Sequence, residues 1–197
     1  YPYVNVGAGD ISGSAMMTKY LLDNGYTQAI FVAECETGAD HYRWKGFQHQ
    51  MRSAGIDCGE ERHILLPEDL SLRRVMYGHY LDCFVQAGAV ALASDYDAAE
   101  VMNYLQDHGI QVPEQVSVTG FDDCIYAELM HPPLTTVRQN VPAKAEAAVE
   151  LLVRLIRQEP VECKNYVQPV ELIRRNSVRE STPNAAPWSQ DLHKTHK

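Results

Sequence analysis

The sequence lacks paired cysteines and long hydrophobic segments, and each absence argues against a class of protein. Its cysteines are odd in number and widely spaced, with no CxxC pair: Cys35, Cys58, Cys83, Cys124 and Cys163. This pattern argues against a disulfide framework and against a structural zinc site. Free thiols in a reducing cytosol explain it better, so we expect a cytoplasmic protein. No apolar run approaches the roughly 18 residues that cross a bilayer, so we expect no membrane partner.

Clustered positive charge is also missing. The chain has 17 Lys and Arg against 26 Asp and Glu, a formal net charge of -9. Its basic pairs, Arg73-Arg74 and Arg174-Arg175, are short and isolated. A nucleic-acid-binding face needs clustered Lys and Arg to replace the counterions of phosphates. We therefore expect no DNA contact by this chain itself, an argument that does not extend to a module joined to it.

Motifs of catalysis and metal binding are absent as well. The sequence contains no GxSxG, HExxH or P-loop pattern. Cys35 and His41 come closest to a nucleophile–base pair, but proximity in sequence is a poor guide to such pairs. Only His193 and His196 have a helical spacing suited to a metal, and they lack further ligands. We predict that the protein is not an enzyme, with no catalytic residue, no metal and no cofactor.

Short apolar runs alternate along the chain with segments of helical periodicity. The runs at 29–33 and 89–93 are continuous, which is typical of strands covered on both faces. The repeated β-α-β order predicts an α/β fold, with a parallel sheet flanked by helices. Further extended segments are predicted at residues 3–6, 63–66, 116–119, 135–139 and 166–173.

The periodicity also predicts which side of two helices faces inward. Asp10 is expected to cap the first helix, whose inward side would carry Ile11, Ala15, Thr18 and Leu22. Pro142 is expected to start a later helix, with an inward side of Ala145, Ala148, Leu152 and Leu155.

Ligands of parallel α/β sheets bind beyond the carboxyl ends of the strands. The segments that follow the predicted strands are therefore the first places to look for a site: 33–43, 67–70, 94–97, 120–123 and 139–141.

Five ordered segments carry a family resemblance. Residues 112–123 read VPEQVSVTGFDD, and residues 132–139 read PPLTTVRQ. Arg43 to Phe47 read RWKGF, residues 172–177 read LIRRNS, and residues 24–26 read NGY. In this order and spacing they closely resemble the signature of the LacI/GalR regulators. The resemblance covers nearly everything but the end of the chain.

The resemblance implies a periplasmic-binding-protein-like type I fold with two lobes. In that family a ligand, usually a sugar or a nucleobase, lies between the lobes. Its occupancy alters the angle between lobes across a dimer, which changes how an attached helix-turn-helix module grips operator DNA. The expected function is thus effector sensing in a bacterial transcription regulator. The expected partners are a small-molecule effector, namely a sugar, a second copy in a homodimer, and DNA only through a module outside this chain.

The resemblance also divides the chain into lobes. Residues 1–27 are expected to end the amino-terminal lobe, and residues 28–137 to form the carboxyl-terminal lobe. Residues 138–162 would be a crossover and a return helix to the amino-terminal lobe, and residues 163–180 a return to the carboxyl-terminal lobe. Residues 181–197 are polar and aperiodic, as in a tail. Because the amino-terminal lobe is incomplete in this division, we expect the biological protein to be longer.

Asp122 and Arg43 are the leading candidates for ligand contacts. Asp122 follows a predicted strand, at the family position whose carboxylate grips ligand, and a carboxylate can accept hydrogen bonds from paired sugar hydroxyls. The alternative is a cap of the next helix, a role that suits Asp123 better. Arg43 matches the arginine of the RxxGF motif, and its guanidinium could hold hydroxyls or a carboxylate. The alternative is a first-turn residue facing solvent.

Four further candidates follow strands or match family positions. Ser94 stands where the family commonly has Asn, while Asp95 is expected to cap the following helix. Gln139 could bind ligand or tie the crossover strands together, and the residues favour neither. Ser12 lies where the amino-terminal lobe often presents a polar contact, and Glu68 follows a strand.

A different function class shares the same fold. A solute-binding protein of a sugar transporter would need a signal peptide upstream, and such sequences usually lack the PPLTTVRQ-type segment. The sequence therefore favours the regulator.

Overall fold

The computed structural model describes residues 4–161 and 164–181. Its eight strands are β1 Asn5–Ala8, β2 Ile30–Ala33, β3 His63–Leu65, β4 Ala89–Leu92, β5 Ser117–Thr119, β6 Thr136–Gln139, β7 Asn165–Gln168 and β8 Val170–Ile173. The α-helices are α1 Asp10–Asp23, α2 Gly38–Ser53, α3 Leu70–Ala87, α4 Asp95–Asp107, α5 Ile125–Leu129 and α6 Val141–Ile156, and a 3-10 helix spans Glu60–Arg62. The alternation confirms the predicted α/β class. Cys163, His193, His196 and the predicted tail from residue 182 onward lie outside the described residues.

A four-stranded parallel sheet forms the centre of the molecule, in the order β3-β2-β4-β5. Beyond β5, single parallel bridges join Thr119 to Thr135 and Asp122 to Arg138, so that β6 continues the sheet. β6 then pairs with β8 in antiparallel register. Because β2, β4 and β5 run parallel, the segments that leave their carboxyl ends meet at one edge.

The core lies on both faces of this sheet, because alternate residues of each strand point to opposite sides. On one face, Val32 and Val90 pack with side chains of α3 and α4 such as Phe84 and Leu105. On the other face, Phe31 and Ala91 pack with Met17 of α1 and with Trp44 and Phe47 of α2. All residues of β2 and β4 are buried. The prediction that the continuous apolar runs are strands covered on both faces is confirmed.

β1 and β7 form a second, two-stranded parallel sheet, against which α6 packs. This pairing divides the segment that the sequence predicts as one extended stretch at residues 166–173. Asn165 to Gln168 lie in register with Asn5 to Ala8, and only β8 joins the sheet continued by β6. The physical reason is a break at Pro169, which separates two short strands in what the sequence suggests is one extended segment. The division into lobes stays a prediction.

The predicted inward sides of α1 and α6 are wrong in part. In α1, Thr18 is buried as expected, but Ile11 is exposed, and Met17 and Leu21 fill the core instead. Gly9 is the N-cap, so that Asp10 lies in the first turn rather than at the cap. In α6 only Leu151 is buried, and the expected inward residues are exposed: Ala145, Ala148, Leu152 and Leu155.

Across residues 4–161 and 164–181, every helix is too short or too polar to cross a membrane.

Candidate functional site

The carboxyl edge of the central sheet brings together the two leading candidates. Arg43 lies on α2, which follows β2, and Asp122 follows β5. Arg43 Nη2 donates to Asp122 Oδ1 at 3.2 Å. Two residues separated by 79 positions in the sequence thus share one site, at the edge where parallel sheets bind ligands.

Arg43 is a buried anchor, with only 7% of its side chain exposed. Its Nε donates to Asp10 Oδ1 at 2.9 Å, and its Nη1 donates to the carbonyl of Ala93 at 2.5 Å. The guanidinium carbon lies 3.8 Å from the centre of the Phe121 ring. With the bond to Asp122, three of the five N–H donors of the guanidinium are directed at protein acceptors. Arg43 is therefore placed to orient two carboxylates, and it is not the solvent-facing residue of the alternative interpretation.

Asp122 presents one carboxylate oxygen that no described residue bonds. Its Oδ1 accepts from both Arg43 and Gln139 Nε2, the latter at 2.5 Å. Its Oδ2 has no hydrogen bond to any described residue, and 39% of the side chain is exposed. Burial raises the pKa of Asp122, while the nearby Arg43 and Gln139 oppose that rise. The result is a carboxylate held at one oxygen and open at the other.

Gln139 ties the site to the crossover. Its amide nitrogen donates to Asp122, and its Oε1 accepts from Lys144 Nζ at 3.1 Å. It also lines an open pocket of about 420 Å³ between the β6–α6 and β7–β8 junctions, together with Pro169 and Val170. Gln139 thus joins β6 to the β5–α5 loop and to α6, and its contact with a ligand stays a prediction.

Ser94 is the N-cap of α4, a role the sequence assigned to its neighbour. Its Oγ accepts from the amide of Asp97 at 3.1 Å and donates to Asp97 Oδ2 at 2.7 Å. The expectation that Asp95 caps this helix is wrong. Asp95 is buried, and it accepts from Thr136 Oγ1 at 2.5 Å and from the amide of Cys124 at 2.8 Å. Desolvation raises the pKa of Asp95 to about 6, against the effect of these hydrogen bonds.

Among the described residues, Ser12 and Glu68 make no side-chain hydrogen bond to Arg43 or Asp122. Ser12 is exposed, and its Oγ donates to the carbonyl of Gly9 within its own turn. Glu68 is exposed and makes no hydrogen bond to a described residue.

Asp123 does not cap α5 as expected. Cys124 occupies the N-cap position, without a side-chain bond. The Asp123 carboxylate instead accepts from Arg138 Nε at 2.5 Å and forms an ion pair with Arg175 Nη2 at 2.7 Å. Its side chain is 5% exposed.

A second charged cluster at the same edge escaped the sequence reasoning. Arg73 of α3 is buried and forms ion pairs with Glu34, Asp97 and Glu100 at 2.5, 3.1 and 2.9 Å. Tyr77 donates to Glu100 at 3.0 Å. Only the Asp97–Glu100 spacing is a sequence signal, because all three partners lie 24 to 39 positions from Arg73. In the described ranges no three His, Cys, Asp or Glu side chains are grouped as metal ligands would be.

The sequence profile of one family matches residues 18–178, and that family is described as a periplasmic binding protein-like domain. The HTH-type transcriptional regulator RegA of Clostridium saccharobutylicum is 29% identical over 177 residues, which are 88% of this chain and 53% of the relative. The HTH-type transcriptional regulator GalR of Escherichia coli K12 is 30% identical over 181 residues, which are 91% of this chain and 52% of the relative. The chain thus spans about half the length of the relatives it matches.

A solved structure, the transcriptional regulator CelR in complex with cellobiose, has a similar fold. It superposes with a TM-score of 0.82 at 26% identity, covering 89% of this chain and 54% of that one. The relatives are named as regulators and not as enzymes, which is consistent with a site that binds.

Proposed function

Because the chain belongs to the periplasmic binding protein-like domains and, among them, to the LacI/GalR family, we propose that it is the effector-sensing domain of a transcription regulator. The effector is a small polar molecule with vicinal hydroxyls, namely a sugar. The named relatives favour this function over that of a transporter's solute-binding protein, since both are transcription regulators.

One observation carries the proposal: the carboxylate of Asp122 is fixed at Oδ1 by Arg43 and Gln139, while its Oδ2 has no hydrogen bond within residues 4–161 and 164–181. A carboxylate oxygen accepts hydrogen bonds from hydroxyls, and each such charged bond contributes roughly 1.5–3 kcal/mol. Because Arg43 and Gln139 hold the group in place, a sugar would not have to order it on binding. The cellobiose in the CelR complex is a ligand of this chemical class.

Ser94, Ser12 and Glu68 remain weaker candidates for the same ligand. The hydroxyl of Ser94 is already engaged by Asp97. Ser12 and Glu68 are exposed side chains without a hydrogen bond to Arg43, Asp122 or Gln139 in the described part of the chain. Their contribution would depend on a ligand large enough to reach them.

The partners of the proposed regulator are a second copy of the chain and, through an attached module outside this chain, operator DNA in the cytoplasm. An apolar surface on α4 and α5 supports the homodimer. Tyr96, Ile125, Tyr126 and Leu129 are each between 46 and 66% exposed, and contiguous exposed apolar side chains are typical of protein interfaces. In this proposal residues 28–137 remain one lobe and residues 1–27 part of the other.

A thermal-shift screen of the full chain tests the sugar-binding function. The screen would contain neutral mono- and disaccharides, cellobiose among them, and free nucleobases. A sugar at 100 times its dissociation constant stabilises the native state by about 2.7 kcal/mol, which raises the melting temperature of a chain of this size by about 5–10 °C. We expect at least one sugar to do so in the wild type and in Asp107→Asn, a surface control, but not in Asp122→Asn. A shift with nucleobases alone, or with no compound, contradicts the sugar assignment.

A further inference from the structure

The β5–α5 loop carries two adjacent carboxylates, those of Asp122 and Asp123, which bind different partners. Asp122 is bonded to Gln139, and Asp123 is bonded to Arg138, the residue immediately before Gln139 on β6. Asp122 and Asp123 are thus each hydrogen-bonded to one of two neighbouring residues of β6, an arrangement that we call the double clamp. Only one of the two carboxylates, that of Asp122, reaches Arg43 and the open side of the site.

From this double clamp we infer that Asp123 is a positioning residue, which holds Asp122 in its ligand-binding conformation and fixes the site to β6. The inference rests on the proposed function of Asp122. Asp123 itself does not touch the ligand, since its side chain is buried between Arg138 and Arg175.

The backbone of the loop shows why Asp122 needs such support. Asp122 has φ of 113° and Asp123 has φ of 54°. Positive φ values are uncommon for residues other than glycine, and two in succession persist only where the surroundings determine them. The amide of Asp122 donates to the carbonyl of Val137 at 2.8 Å, which secures the loop from the backbone side. The carboxylate of Asp123 holds the same part of the loop through its side chain, by its bond to Arg138.

The partners of Asp123 anchor it to two further segments. Arg138 belongs to β6, and Arg175 follows β8. Arg175 Nη1 also donates to the carbonyl of Leu134 at 2.9 Å, ahead of β6. The buried carboxylate of Asp123 therefore joins the loop to β6 and to the segment that follows β8. A displacement of Asp122 on ligand binding would also move β6, because the Asp123–Arg138 pair joins the loop to that strand.

Hydrogen exchange of the full chain without ligand tests the positioning role. Arg138→Gln removes one partner of Asp123 at a side chain that is half exposed, so the variant is expected to fold. Asp123→Asn removes the charge itself. The matched control is Asp107→Asn, which breaks the exposed pair with Arg74. We expect the amides of residues 120–124 and 136–139 to exchange at least tenfold faster in the first two variants, and at the wild-type rate in the control. Wild-type exchange in all three variants overturns the inference.

A double-mutant cycle then separates positioning from general structure. The probe is cellobiose, or whichever sugar of the screen gives the largest shift. Arg138→Gln is expected to weaken its binding about tenfold in the wild-type background, and to have no further effect when Asp122→Asn is already present. Losses that add in the double variant mean that Asp123 does not act through Asp122. If the wild type binds none of the sugars, the proposed function fails, and the exchange rates alone decide the positioning role.

Discussion

At the scale of single residues, the charge of Arg43 carries the site. Its guanidinium lies between Asp10 and Asp122, whose negative charges would repel each other without it. Replacing Arg43 by Ala leaves two carboxylates without their partner and Phe121 without its covering group. We predict a loss of about 3 kcal/mol in the free energy of unfolding, measured by urea denaturation. Arg74→Ala, which removes an exposed ion pair, is the control and should cost less than about 1 kcal/mol. Equal losses in both variants would contradict the anchoring role.

Asp97 is expected to make stability depend on pH. Burial and the contact with Glu34 raise the pKa of Asp97 to about 7, against the opposing hydrogen bond from Ser94 and the charge of Arg73. Burial acts to raise the pKa of Glu34, but Arg73 and Asp97 lower it below its ordinary value.

The sign follows from the raised pKa. A carboxyl whose pKa is higher in the folded than in the unfolded state, where it is about 3.9, stabilises the fold fully below pH 4 and loses that contribution as the pH rises through 7. Asp97→Asn lacks this titration. Relative to the wild type, the variant should therefore gain about 3–4 kcal/mol in free energy of unfolding between pH 4 and pH 8. Denaturation at both values measures this, and a difference that is constant with pH would contradict it.

Three of the six candidate side chains could be predicted from the sequence as members of one bonded group: Arg43, Asp122 and Gln139. They follow strand ends or match family motifs, which fixes their place in the sheet. Asp10 was missed as their partner, because its position before a helix also suits a cap. Arg73 was missed because a charge within a helix is usually solvated, and only the fold brings its three carboxylates to it.

At the scale of elements, the crossing of α1 and α2 depends on Gly46. A Cβ at this position would meet the backbone carbonyl of Ile11 well inside van der Waals distance. Gly46→Ala should therefore push the two helices apart and destabilise the protein by about 1–3 kcal/mol, as overpacking does. Gly7→Ala is the matched control, because a Cβ there meets only ordinary contacts. Thermal unfolding of both variants measures the difference, and an unchanged midpoint in Gly46→Ala would rule out the close approach.

The elements were easier to predict than their orientation. The central strands are apolar on both faces, so a continuous apolar run identifies them without any knowledge of their neighbours. The inward side of a helix depends instead on what it packs against. In α1, Ser14 is buried where Gly46 of α2 approaches closely, and Gly13 faces Phe121, Val137 and Val170. In α6 several apolar side chains are exposed, and Leu152 and Leu155 are among them. Periodicity alone identifies the apolar stripe of a helix, but it does not identify the element against which that stripe packs.

At the scale of the whole molecule, the proposed dimer depends on the apolar surface of α4 and α5. Leu129 is 66% exposed, at the end of α5. A charge there would be desolvated in an interface between two copies but would remain hydrated on a free surface. Leu129→Asp should therefore convert a dimer into a monomer with little change in secondary structure, as measured by analytical ultracentrifugation and circular dichroism. Val75→Asp, at an exposed position of α3, is the control. A wild type that sediments as a monomer at high concentration would contradict the dimer.

The most direct test of the whole account is calorimetric titration of the wild type and of Asp122→Asn with the sugar that gives the largest thermal shift. The variant keeps the size of the side chain and an oxygen for Arg43, but it removes the charge from the free end of the carboxylate. We predict that the wild type binds one molecule per chain and that the variant binds at least tenfold more weakly, while the two unfold at similar temperatures without sugar. Equal affinities would show that the sugar is held elsewhere and that Asp122 is not the contact.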